Sequence, residues 1–210
     1  MNLGAWVTVL SLAALFVAVH RGSKVGEWVF KPLAATGFVI SALQHGALQS
    51  RYGVLIYLGL CLSWWGDVLL IPKTKKTFLA GLGAFLLAHL AYAAAFVARG
   101  MSWTAAIAGF VVLTLPLAAV GRWLLPKVPT SMRLPVRAYM AVITVMVACA
   151  MGTVVAHGGL AVLIGALAFY LSDLSVARDR FVSPGFDNKL WGWPLYFGAQ
   201  LVLAATVALR

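Results

Sequence analysis

Residues 165–180 read GALAFYLSDLSVARDR, and the reading of the chain turns on Asp173, a single carboxylate inside an otherwise apolar run. Residues 53–71, GVLIYLGLCLSWWGDVLLI, set Asp67 in the same kind of surroundings. An ionisable group within a membrane-spanning helix costs roughly 2.5 to 3.5 kcal/mol on insertion scales and faces a bundle interior or a wet cavity rather than lipid. These two acids are therefore expected to have partners and a use.

Working outward, the 210 residues are 63% apolar and 10% charged, with a mean hydropathy of +0.97. That is far from the composition of a soluble globular domain. It predicts an all-α polytopic membrane protein, with residues 1–210 forming a single integral membrane domain. Cys61 and Cys149 fall inside apolar runs and read as reduced packing residues rather than a disulfide or a metal site. The formal charge of +11 does not indicate a nucleic-acid partner, because the basic residues cluster in short loops between apolar runs, where they set orientation. The first run, Leu3 to Val19, lacks a basic flank before it and an A-x-A-like site after it, so it is expected to be a retained span.

Crossing a hydrocarbon core takes roughly 20 helical residues, and runs of that order occur eight times: 2–20, 31–49, 53–71, 77–98, 102–120, 135–154, 158–177 and 189–209. The segments RGSKVGE, PKTKK, PKVPTSMRLP and RDRFVSPGFDNK read as polar connectors. The odd-numbered connections carry Arg21, Lys24, Lys31, Lys73, Lys75, Lys76, Arg122, Lys127, Arg133, Arg137, Arg178, Arg180 and Lys189. The even ones and the termini carry only Arg51, Arg99 and Arg210. The positive-inside rule then places the odd loops in the cytoplasm and both termini outside. At a rise of about 1.5 Å per residue, Asp67 and Asp173 each lie roughly 8 to 9 Å inside the cytoplasmic edge, on helices of the same polarity. Two costly carboxylates at one depth are expected to share a cavity.

Lys31 precedes Asp67 by the interval at which Arg137 precedes Asp173, and on that offset Gly53 matches Gly159 and Gly59 matches Gly165. This echo suggests two four-span halves related by a pseudo-two-fold axis along the membrane normal. Small and polar residues recur every four positions beside the acids: Gly59, Ser63 and Asp67 on the third span, then Ala161, Gly165, Phe169 and Asp173 on the seventh. Gly192, Tyr196 and Gln200 follow on the eighth, while Gly81, Phe85, His89 and Tyr92 lie along one face of the fourth. Such stripes let helices approach closely and turn polar groups toward a shared interior. Lys31, Lys73 and Arg178 lie at the cytoplasmic rim above the acids, where a phosphate headgroup is within reach. Lys31, followed by Pro32, is expected to open its span and to meet either a headgroup or an Asp.

No His-x-x-x-His pair, G-x-S-x-G elbow or Cys with a nearby base is present, so neither a metal nor a cofactor is expected. What remains is an acid pair. Two carboxylates in one low-dielectric cavity repel each other, so the pair is expected to hold one protonated and one ionised member, as acid/base hydrolysis needs.

With Lys31-Pro32-Leu33, Gly66-Asp67, Gly81 through His89 to Tyr92, Ser172-Asp173 and Tyr196 through Gln200 noted, the chain resembles the YhhN/TMEM86 family of membrane lysoplasmalogenases over nearly its whole length. The resemblance implies cleavage of the vinyl ether of a lysophospholipid substrate, a lysoplasmalogen, to a fatty aldehyde and a glycerophospho-headgroup. It implies catalytic roles for Asp67 and Asp173, with Lys31, His89, Tyr92, Ser172, Tyr196 and Gln200 around the substrate. Phe197 departs from the family's Tyr-Tyr-x-x-Gln pattern and leaves Tyr196 as the hydroxyl donor. The expected location is the bacterial inner membrane, with the site nearer the cytoplasmic leaflet, where a lysolipid's glycerol linkage would lie level with the acids. A proton-coupled transporter and a non-catalytic lipid-binding protein are the competing readings.

Overall fold

Serine and threonine side chains decide where several helices begin, because the first backbone N–H groups of a helix have no partner within it. In the computed structural model, which describes residues 2–208, Ser23, Ser50, Thr74 and Ser102 each accept a hydrogen bond from the N–H three residues on, and Asn2 does the same for Ala5. Eight helices follow: α1 (Leu3–His20), α2 (Lys24–Gln44), α3 (Arg51–Leu70), α4 (Lys75–Arg99), α5 (Trp103–Leu124), α6 (Thr130–His157), α7 (Leu160–Phe181) and α8 (Phe186–Thr206). Among the described residues there is no strand. Leu209, the end of the eighth apolar run, and Arg210, counted among the sparse basic residues of the outer side, lie outside the described residues.

Six of these helices, α1 and α3 to α7, are long and apolar enough to cross a membrane. The chain is a multi-pass helical membrane protein. The two that fall short, α2 and α8, pack on each other and carry polar residues inward: Lys31 on α2, and Asn188, Tyr196 and Gln200 on α8 are all buried. Interior polar residues lower their hydropathy.

One helix start differs from expectation. Lys31-Pro32 does not open the second span, because Ser23 caps α2 and Glu27 sits in its first turn, so KVGEWVFK is helical rather than a connector. Pro32 lies in the helix interior, and its carbonyl accepts from the Thr36 hydroxyl at 2.9 Å. The span also ends early, at Gln44, where Gly46 adopts a φ of +83° that leads into a short 3-10 turn over Ala47–Gln49. Pro135 is likewise interior to α6, which begins at Thr130.

The loops sort onto two ends. Lys73 Nζ lies 3.9 Å from Glu27, Lys75 Nζ donates to Ser131, and Arg180 donates to the carbonyl of Lys73, so all four odd-numbered connections share one end. At the opposite end Asn2 donates to Ser41, the Ser102 N–H donates to the carbonyl of Gly152, and the hydroxyls of Tyr52 and Thr206 lie 2.7 Å apart.

Packing repeats along the chain. The principal neighbours are α1 with α2, α2 with α3, α3 with α4 and α4 with α6, then α5 with α6, α6 with α7, α7 with α8 and α8 with α2. Advancing each helix of the first four pairs by four positions yields the second four. Glycines set the spacing in both halves: a Cβ on Gly59 would collide with the Tyr92 ring of α4, and one on Gly165 would stand 2.9 Å from Leu203 of α8. The core is aromatic near its middle, where Phe169 packs edge-on against Phe85 and Tyr196 and tilted against His89.

Candidate active site

Asp67 lies in the last turn and a half of α3, where Gly66 lets the Phe85 ring of α4 approach so closely that a Cβ would stand 2.6 Å from it. The carboxylate is enclosed by two other helices. From α2, Lys31 Nζ stands 3.2 Å from Oδ1 and also donates to the Asp67 carbonyl at 3.1 Å. From α8, the Tyr196 hydroxyl donates to Oδ2 at 2.6 Å. The resulting ion pair is buried, with side-chain exposures of 9% for Lys31 and 3% for Asp67. Lys31 therefore meets an acid and not the rim.

Asp173, on α7, is answered differently. The Tyr139 hydroxyl of α6 donates to Oδ2 at 2.8 Å, and His89 Nε2 of α4 stands 3.8 Å from the same oxygen, too far for a hydrogen bond. His89 Nδ1 is 2.6 Å from the carbonyl of Phe85, an acceptor, so Nδ1 carries the hydrogen. Nε2 is buried without a hydrogen-bond partner. The Asp173 side chain keeps 17% of its surface accessible, so it is the more open of the two acids.

Both acids line one cavity of about 110 Å³. Lys31, Tyr139, Ser172 and Tyr196 line it with them, and its apolar wall runs toward the basic end past Phe78, Leu124, Val136 and Phe181. α5 contributes Val120 and Leu124 to the wall and α7 contributes Asp173 and Phe181, and these two helices do not pack on each other as a principal pair.

Of the residues expected around a substrate, Lys31, Ser172 and Tyr196 reach this cavity. The Ser172 hydroxyl is engaged with the carbonyl of Phe169 at 2.7 Å. His89, Tyr92 and Gln200 are fully buried behind the wall. There the Tyr92 hydroxyl donates to Gln200 Oε1 at 2.8 Å, with Ser63 3.5 Å from that hydroxyl, and Gln200 Nε2 has no partner. The rim cations are paired: Lys73 with Glu27, and Arg178 with Asp187 and Asn188. Sequence reasoning missed Tyr139. Its signal was depth, since it follows Arg133 by six residues, the interval between Asp67 and Lys73, which puts it level with the acids on the sixth span.

The fold and site define a polytopic helical membrane protein with two carboxylates, contributed by separate helices, converging on one cavity. A profile of the YhhN family matches residues 26–207, and the chain belongs to that family. Among its relatives, a bovine protein named lysoplasmalogenase TMEM86A is 30% identical over 183 residues, covering 84% of this chain and 71% of the bovine one. A Mycobacterium bovis protein named lysoplasmalogenase is 27% identical over 207 residues, covering 96% and 78%. A membrane protein named YhhN from Escherichia coli O6:H1 is 31% identical over 149 residues, covering 69% and 64%. No solved structure matches the chain.

Proposed function

We propose that the chain is a lysoplasmalogenase-like hydrolase that cleaves the vinyl ether of a lysophospholipid by acid/base chemistry between Asp67 and Asp173. The observation that carries this reading is the shared cavity: both carboxylates line it, with an apolar wall suited to an alkenyl chain. The names of the bovine and mycobacterial relatives support the substrate class.

The partners support unequal roles. Lys31 beside Asp67 favours a carboxylate there, since a buried anion is tolerable when paired and hydrogen-bonded. Asp173 has a neutral hydroxyl and a histidine nitrogen beside it, and the Nε2 lone pair of a neutral His89 is accommodated when Asp173 holds a proton. In this mechanism Asp173 transfers its proton to the vinyl carbon remote from oxygen, leaving an oxocarbenium ion whose positive charge the Asp67 carboxylate stabilises. Water adds to the cationic carbon and loses a proton to Asp67. The hemiacetal then breaks its bond to the glycerol oxygen, which takes the proton held by Asp67 as it leaves, while the hemiacetal hydroxyl returns a proton to Asp173 and becomes the aldehyde carbonyl. Tyr139 and Tyr196 hold the two carboxyl groups in place.

The same reading takes all eight helices as spans of one membrane domain, in two related halves, with the basic loops in the cytoplasm and both termini outside. A proton-coupled lipid transporter is the second reading, favoured by the repeated packing. The unbroken course of α2, α5, α6 and α8 through Pro32, Pro116, Pro135 and Pro194 favours hydrolysis over it.

Purified protein given a lysoplasmalogen is expected to release a fatty aldehyde, with Asp67→Asn and Asp173→Asn each at least a hundredfold slower, about the contribution of acid/base catalysis. Full aldehyde release by either variant, folded by circular dichroism, would defeat the catalytic assignment.

A further inference from the structure

Away from the acids, positive charge collects where nothing balances it. No Asp or Glu occurs between residues 68 and 172, so the α5–α6 hairpin carries none. Elsewhere on the basic side four cations have carboxylates, Lys31 with Asp67, Lys73 with Glu27, Arg178 with Asp187 and Lys189 with Asp179, and two more have oxygen acceptors, Lys75 in Ser131 and Arg180 in the carbonyl of Lys73. On the hairpin, Arg122 of α5 and Arg133 and Arg137 of α6 line one groove of about 890 Å³. Arg133 donates Nε to the carbonyl of Val128 at 3.1 Å, which leaves the outer edge of its guanidinium free. Among the described residues, Arg122 and Arg137 have neither an ion-pair nor a hydrogen-bond partner.

The rest of the groove is apolar. Leu117, Leu125 and Ala141 contribute to its lining, and Arg133, Arg137 and Ala141 recur every four residues, which places them along one face of α6. A trough with a cationic end and an apolar run matches an amphiphile. Guanidinium forks are suited to phosphate oxygens, and basic pockets between membrane helices take phosphate headgroups. The lining decides between headgroups. The ammonium of a zwitterionic lipid is held by a carboxylate or an aromatic face, and the residues lining the groove include neither.

We infer that the α5–α6 groove binds an anionic phospholipid, its phosphate held by Arg122, Arg133 and Arg137 and its chain laid along the apolar trough. The site is separate from the acid cavity but shares a wall with it. Met140 lines both, and its Cε lies over Gly121 of α5, 3.7 Å from where a Cβ would stand. A lipid in the groove packs against the side of the cavity whose other wall is α5. This inference does not depend on the hydrolase reading.

The test is native mass spectrometry of the purified full-length protein with phosphatidylglycerol or phosphatidylcholine of identical chains. With about a fivefold gain for each arginine, phosphatidylglycerol is expected to bind on the order of a hundredfold more tightly. The preference is expected to fall to about fivefold in R122Q/R137Q and to survive in R122K/R137K. If the glutamine variant fails to fold, the wild-type preference must instead shrink as salt rises, since the groove is open to solvent. Glycerol 3-phosphate at the same concentration is expected to leave the lipid in place, because it lacks the chain. Equal retention of the two lipids by the wild type would overturn the inference. So would an unchanged preference in the folded glutamine variant, a salt-independent one, or displacement of the lipid by glycerol 3-phosphate.

Discussion

Lys31→Met tests how Asp67 is held. Methionine keeps most of the side-chain stem and removes the ammonium, so Asp67 would retain only the Tyr196 hydroxyl at 2.6 Å. With exposures of 9% and 3% the pair is shielded from water, and removing one partner of such a pair costs about 3–5 kcal/mol because the other charge is left buried alone. For a chain of this size each kcal/mol moves the melting temperature by about 2–4 °C, so the variant should melt roughly 6–20 °C lower. Asp67→Asn should cost less, about 1–3 kcal/mol, since the flexible Lys31 stem can carry its charge toward the basic end.

The double variant, Lys31→Met with Asp67→Asn, leaves no buried charge and should recover most of the loss. Thermal unfolding of all four proteins in one detergent, followed by tryptophan fluorescence, gives the coupling between the two positions. The two single losses less the small one left in the double variant give an expected coupling of about 3 kcal/mol or more. A coupling below about 0.5 kcal/mol, the range found for independent sites, would refute the view that Lys31 neutralises Asp67. Under the proposed mechanism the double variant is also stable and unable to release aldehyde, which separates the catalytic use of Asp67 from its structural one.

Tyr139→Phe keeps the ring against His89 and removes the 2.8 Å donor to Asp173. Aldehyde release should slow about tenfold in kcat with KM little changed, whereas a raised KM alone would move Tyr139 from positioning Asp173 to holding substrate. Gly59→Ala drives a Cβ into the Tyr92 ring, whose hydroxyl is tied to Gln200, and overpacking of this kind costs about 1–3 kcal/mol. Gly83→Ala meets open space and should gain up to about 1 kcal/mol from helix propensity, so the two melting temperatures must shift in opposite directions. Ser23→Ala should lower stability by about 1 kcal/mol if α2 starts at Lys24, and by nothing measurable if the helix begins at Lys31.

The convergence of Asp67 and Asp173 was legible because three independent signals agreed: burial cost, loop charge and the rise of a helix. Each constrains depth, and two acids at one depth in a small bundle have few places to go. The start of α2 was not legible in the same way. Proline suits a first turn, so Lys31-Pro32 looked like a beginning, while the deciding residue was Ser23 inside a charged segment that resembled a loop. Hydropathy also hid the direction of polar side chains. His89, Tyr92 and Gln200 share stripes with cavity residues, yet each sits behind the wall, because a stripe fixes a face of a helix and not what the neighbouring helix places in front of it. Tyr139 escaped notice for the converse reason, being the one tyrosine on a span with no acid.

The two acids occupy matching positions and differ in what answers them. Asp67 on α3 meets side chains from α2 and α8, and Asp173 on α7 meets side chains from α6 and α4. Advancing α2, α3 and α8 by four positions gives α6, α7 and α4. The order of packed helix pairs repeats, but the chemistry placed on it does not. The residue that stands to Asp173 as Lys31 stands to Asp67 is Arg137, and it lines the outer groove, while Tyr139 two residues on takes the carboxyl. One acid thus has a cation within 3.2 Å and the other a neutral hydroxyl. Two identical carboxylates with identical partners in one cavity would compete for the same proton. Unequal partners divide the roles, and acid/base catalysis by a carboxylate pair needs that division. The arginine released from the acid became available to the groove, so one departure from symmetry accounts both for the inequality of the acids and for a cation beside lipid.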